Sequence, residues 1–289
     1  MTATEASSHT TSPAEWLVPL FLIVAGGWLA WHLPAFILDW GGNENASAFA
    51  QLSAQFKRND VTPDLPGLFG GFADAVDYLA LVMIPIMGIN GVRQVPPAPM
   101  EAGGRNLIDR ISVFVGRTTM VLIAILLLVM LYEVLLRYVF ERPTLWANEL
   151  SLWLAGFVFL FAGLYAMQQR SHIRIFLAYD LLPRWLQRVC DTISTLLIWV
   201  FAVAIIWGGY GEARDQFLRW ETLGTAFDPP IPATLTPAIL IVTVMIAVQA
   251  LSNLIRDWNA EPVIHTAADD IDPDELANLK RIAGDRDDG

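Results

Sequence analysis

The chain has 289 residues, of which 55% are hydrophobic and only 16% charged, where a soluble chain carries about 25% charged side chains. Its formal charge of −11 argues against nucleic acid as a partner. Its single cysteine, Cys190, excludes an intrachain disulfide or a Cys-rich metal centre.

So many apolar side chains exceed what one compact core can hide, and the composition indicates an all-α integral membrane protein. A spanning helix needs about 20 mostly apolar residues to cross about 30 Å of hydrocarbon. Residues 1–15 hold Glu5 and Glu15 but no base, and read as a tail. Residues 16–38 contain no Asp, Glu, Lys or Arg. That run is too long for the apolar part of a signal peptide and lacks a basic leader, so it reads as a retained span. Residues 41–66 are polar, with scattered Asn, Asp and Gly, and read as an external loop.

Residues 68–92 form a weaker segment, shortened by Asp74 and Asp77 and interrupted by Pro85. A short span with both aspartates near one interface is expected, which closes an N-terminal hairpin over residues 16–92; a re-entrant or surface segment is the alternative. Residues 93–105, which contain PPAPMEAGG, are a linker by composition.

Four stronger spans follow in a core over residues 106–258. The first is uncharged from Thr118 to Tyr132 and is expected to run on to about Phe140. The others cover residues 151–169, 192–211 and 231–255, the last opened by Asp228-Pro229-Pro230. Residues 182–189 place Leu182, Trp185, Leu186 and Val189 at helical spacing around Arg184 and Arg188, which suits a short helix lying on the membrane surface. From Asp257 to the end there are ten acids and three bases, so this stretch carries −7 of the total charge. In the tail over residues 259–289, Asp272-Pro273-Asp274-Glu275 is a helix-start signature, and a three-turn helix bearing Leu276, Leu279 and Ile282 is expected.

Arginines concentrate before the Thr118 span and between the second and third strong spans. This bias puts residue 105, residue 180 and the acidic tail in the cytoplasm. With six spans the N-terminus is cytoplasmic too; with five it lies outside.

Several chemistries lack their residues. The four strong spans carry almost no charge at mid-depth, where a self-sufficient transporter builds its substrate site. Only His32 of the four histidines lies in a span, so paired haem ligands are missing. No span supplies a Ser–His or Ser–Lys arrangement, and no Gly-rich loop with a lysine suggests ATP. Neither an enzyme nor a cofactor is expected.

What stands out is an ordered series of polar residues. Glu133 and Arg137 are four apart, share a helix face and form a candidate intramembrane ion pair. Tyr138 follows, then Pro143, Trp146 and Glu149, which sits in the first turn of the next span, where a carboxylate suits the helix dipole. His172 stands between Arg170 and Arg174, with Asp180 downstream. Taken one at a time, these read as an ordinary helical hairpin with belt aromatics and a basic turn.

Their order resembles the small membrane subunit, the Q-type subunit, of TRAP transporters, the tripartite ATP-independent periplasmic family. The matching pieces are Arg137-Tyr138-Val139-Phe140, Pro143, Trp146 with Glu149-Leu150, His172-Ile173, and Asp180 before Leu182-Pro183. The resemblance covers residues 106–258, with the N-terminal hairpin as an addition. It implies a bacterial inner-membrane heterocomplex in which a periplasmic binding protein captures an organic acid. A large membrane subunit then carries the acid with sodium. The small subunit braces that partner through Arg137, Tyr138, Trp146, Glu149, His172 and Asp180, with membrane lipids around both. A scaffold for another complex and a small self-contained carrier remain as alternatives.

Overall fold

The computed structural model describes residues 13–41, 75–94, 106–170, 179 and 182–258. Among them there is no strand, and six long helices account for nearly everything. These are α1 (Pro13–Gly41), α2 (Ala75–Gln94), α3 (Leu107–Tyr138), α4 (Trp146–Gln168), α5 (Arg184–Leu218) and α6 (Ile231–Asp257). All six are long and apolar enough to span a membrane. The chain is an all-α, multi-pass membrane protein in which four helices follow an N-terminal pair.

The helices alternate in direction. Glu15 at the start of α1 meets Arg117 in the first half of α3. At the far end, Trp31 of α1 stacks on Phe227 in the α5–α6 connection. One end of the bundle therefore gathers the starts of α1, α3 and α5 and the ends of α2, α4 and α6; it is the arginine-rich end. The opposite end holds the tight α3–α4 hairpin and the α5–α6 connection.

Packing follows chain order only in part, since α1–α3, α3–α6 and α4–α6 also meet. The pairs α1–α2, α3–α4 and α5–α6 are closely packed hairpins, and α4 also packs on α6. The N-terminal pair lies against α3, where Val113 and Phe114 are buried under Val18, Leu22 and Val92. Close approach depends on absent side chains at two places. A Cβ on Gly91 would lie 2.1 Å from the Phe114 ring, and one on Gly116 would lie 2.3 Å from the Tyr165 ring.

Two helices outrun the membrane. The 32 residues of α3 and the 35 of α5 correspond to about 48 and 52 Å, against about 30 Å of hydrocarbon. The span expected from residue 118 is thus preceded by eleven further helical residues. Asp109 closes that start by accepting from the Asn106 backbone N–H at 3.4 Å. Likewise, residues 184–189 are not a separate surface helix but the first turns of α5, begun by Pro183. No glycine or proline intervenes between 184 and 207 to break the helix.

Most of α5 faces outward, with Phe201 and Trp207 largely exposed, the latter at 88%. In a membrane this surface meets lipid or another membrane protein. The external loop, His172, Asp180 and the tail helix expected from the sequence all lie outside the described residues.

Candidate functional site

Charged groups in α3 flank its apolar run. From Asp109 to Glu133 the helix rises about 36 Å, and from Arg117 to Glu133 about 24 Å. A carboxylate or guanidinium at such depth needs a partner, and each of these has one.

At the hairpin end, Glu133 is buried and uses both oxygens. Its Oε1 accepts from Arg137 Nε at 3.0 Å and from Arg137 Nη2 at 2.5 Å. Its Oε2 accepts from the Thr144 backbone N–H at 3.0 Å and from the Thr144 hydroxyl. One carboxylate thus ties the last turn of α3 to the connection that enters α4. Tyr132 and Trp146 close the same corner with ring centroids 5.9 Å apart. Arg137 is half exposed, and Tyr138 is among the most exposed aromatics.

Glu149, one turn into α4, reaches across to the α5–α6 connection, where its Oε2 accepts from the Thr225 hydroxyl at 2.5 Å. That connection is itself ordered by short contacts. Gly224 N–H donates to Asp228 Oδ1 at 2.6 Å, and Leu223 N–H donates to the Pro229 carbonyl at 3.1 Å. Asp228 and Gly224 both adopt positive φ, a conformation that Asp and Gly tolerate better than bulkier residues. The side chains singled out in the sequence thus divide. Glu133, Arg137, Trp146 and Glu149 gather at the hairpin end. Tyr138 points away from the bundle. His172 and Asp180 lie outside the described residues.

At the arginine-rich end lies a second polar cluster that the sequence reading missed. Asp109 is fully buried and accepts from Gln249 Nε2 at 2.8 Å and from Arg256. Gln249 Oε1 accepts from the Ser112 hydroxyl at 2.9 Å. Gln249 Nε2 also reaches Asn253 Oδ1 at 3.1 Å, and Asn253 Nδ2 donates to the Met167 carbonyl at 2.8 Å. One chain of hydrogen bonds therefore links α3, α6 and α4. A lone Gln inside the apolar run of α6 was the available signal. Its partners on α3 stand 137 and 140 positions away, so no local spacing reveals them. Close by, Arg117 Nε lies 2.9 Å from Glu15 Oε1, with both side chains buried, and pins α1 to α3.

These polar groups hold helices together. Among the described residues, no group of three or more His, Cys, Asp or Glu side chains could hold a metal ion. Hydrogen bonds and ion pairs thus cross-link α1, α3, α4 and α6.

Residues 126–260 match the family model of the DctQ component of tripartite ATP-independent periplasmic transporters. The match agrees with the resemblance to the TRAP small membrane subunit over that segment, 126–260, and does not reach residues 106–125. It takes in the later part of α3 and all of α4, α5 and α6, and leaves α1 and α2 outside. No curated protein and no solved structure matches the chain.

Proposed function

We propose that this chain, a multi-pass membrane protein whose residues 126–260 carry the DctQ-type small-permease sequence, braces the large membrane subunit of a TRAP-type secondary transporter. In this reading a binding protein outside the membrane delivers an organic acid. The large subunit moves it with sodium, and this chain keeps that subunit's fixed part in place. Residues 106–258 are the brace, residues 16–92 an added hairpin, and residues 259–289 an acidic cytoplasmic tail. The complex sits in a bacterial inner membrane with the arginine-rich end facing the cytoplasm, as the arginine bias favours.

The single observation that carries the reading is the family match over residues 126–260. Two features agree with it. The polar groups along α3 and α6 are engaged with neighbouring helices, and α5 presents a long apolar surface with Trp207 and Phe201 outward. Such a surface suits a broad contact with another membrane protein.

Affinity purification of the tagged chain from its native membrane tests the assignment. A much larger many-helix membrane protein should be recovered with it in fixed ratio. Recovery of the chain alone, or with an unrelated complex, favours the scaffold alternative.

A further inference from the structure

The arginine-rich end holds a convergence that the brace reading does not use. Three arginines meet Asp257, the last residue of α6, and Trp258, which caps it. Arg170, just after α4, donates through Nη2 to Asp257 Oδ1 at 2.6 Å. Arg184, the first residue of α5, donates through Nη2 to the Asp257 carbonyl at 2.7 Å. Arg188, one turn on, holds its guanidinium 5.7 Å from the centroid of the Trp258 ring.

Among the described residues Arg188 stands apart from its neighbours. Arg170 has Asp257 as its acid, and Arg184 donates to the Asp257 carbonyl and to Gln187 Oε1. The other acid nearby, Asp191, accepts from the Tyr179 hydroxyl at 2.7 Å. Arg188 has no carboxylate among the described residues, and its buried Nε has no hydrogen-bond acceptor. A guanidinium held over an aromatic face without an anion keeps N–H donors for one, and Arg188 is half-buried rather than enclosed.

The surroundings are apolar and face outward. Trp185 is 66% exposed, Trp258 44%, and Val189 and Ile255 are exposed beside them. Exposed Trp next to Arg at a helix end is the pattern of the membrane interface, where an indole sits at headgroup depth. Basic groups between spanning helices at that depth attract anionic headgroups.

We infer that Arg188, with Arg184 and Arg170 beside it, forms a site for the phosphate of an acidic phospholipid, whose acyl chains lie along the exposed apolar faces of α5 and α6. The unmatched Arg188 guanidinium selects an anionic over a zwitterionic lipid, and the exposed indoles select a lipid over a soluble anion. This inference stands apart from the transporter reading.

The test is native mass spectrometry of the purified full chain in neutral detergent, titrated with dioleoylphosphatidylglycerol or dioleoylphosphatidylcholine. Phosphatidylglycerol should bind the tighter. Arg188→Gln should weaken it about fivefold, the effect of one basic group near an anionic surface, while Arg188→Lys should keep most of the binding. Arg142→Gln, at the opposite end, should change nothing. Melting temperatures show whether each variant is folded. Should Arg188→Gln not fold, headgroup selectivity of the unaltered chain and binding by Arg188→Lys decide. Equal binding of the two lipids, or unchanged binding by folded Arg188→Gln, overturns the site. So does displacement of the lipid by millimolar inorganic phosphate, which would mark a soluble-anion site.

Discussion

Glu133 does at one position what several residues do in a water-exposed hairpin. Its two oxygens take four donors, from Arg137 and from Thr144. Removing Arg137 leaves a buried carboxylate with only Thr144. Arg142, exposed in the connection of the same hairpin, offers a control. Arg137→Met should lower the melting temperature of the purified protein by several degrees, and Arg142→Met should leave it unchanged. Equal and negligible shifts would reduce the pair to an incidental surface contact. Gln249 sits at the centre of the other network and serves Asp109, Ser112 and Asn253. Gln249→Leu keeps the volume but strands these groups, at about 1–3 kcal/mol for each buried group left unmatched. Gln249→Glu keeps the acceptor for Ser112 and sets a second carboxylate against Asp109. Chemical denaturation in detergent should rank both variants below the parent, and parity of Gln249→Leu would show that water enters the cluster freely.

Helix existence was legible and helix ends were not. Uncharged runs marked each span because hydropathy reports the hydrocarbon core. It does not report where a helix stops. Thus α3 starts at Leu107, ahead of the uncharged run, because Asp109 and Arg117 are satisfied by Arg256, Gln249 and Glu15 and need no water. Similarly, α5 extends past the membrane at both ends, since Gln187, Arg188 and Asp215 are as helical as the apolar residues between them. The start of α6 was readable from Pro229-Pro230, which cannot continue a regular helix. The Glu133–Arg137 spacing was readable because it is local. The Asp109–Gln249 and Glu15–Arg117 contacts were not, because they join residues more than a hundred positions apart.

The N-terminal pair provides a prediction at this scale. Its hold on α3 is the Glu15–Arg117 ion pair, the Phe114–Gly91 contact and the Arg110 donation to the Arg93 carbonyl. Co-expressed fragments 1–100 and 101–289 should therefore co-purify without a covalent link. Glu15→Gln should loosen the pair, and Gly91→Leu, which meets the Phe114 ring, should separate it. Fragments that never associate would mean that the pair is held by its tether alone.

At the scale of the whole molecule, the helices form two clasped ends joined by an apolar middle. The clasps fix α3, α4 and α6 to one another and α1 to α3, while α5 packs chiefly on α6 and leaves a long face outward. Locking elements together at both ends resists bending, which suits a fixed support better than a moving carrier. Residues 126–260, which match the DctQ family model, take in the later part of α3 and all of α4, α5 and α6. The motif residues Arg137, Trp146 and Glu149 lie together at the hairpin end, beside the ordered α5–α6 connection.

Uptake by reconstituted vesicles tests the central claim most directly. Vesicles receive this chain, its large partner and the binding protein under an inward sodium gradient, and others receive the same mixture without this chain, or this chain alone. The account predicts organic-acid uptake in the complete mixture, loss of uptake without this chain, and none with this chain alone. Sodium-driven uptake by this chain alone would contradict it.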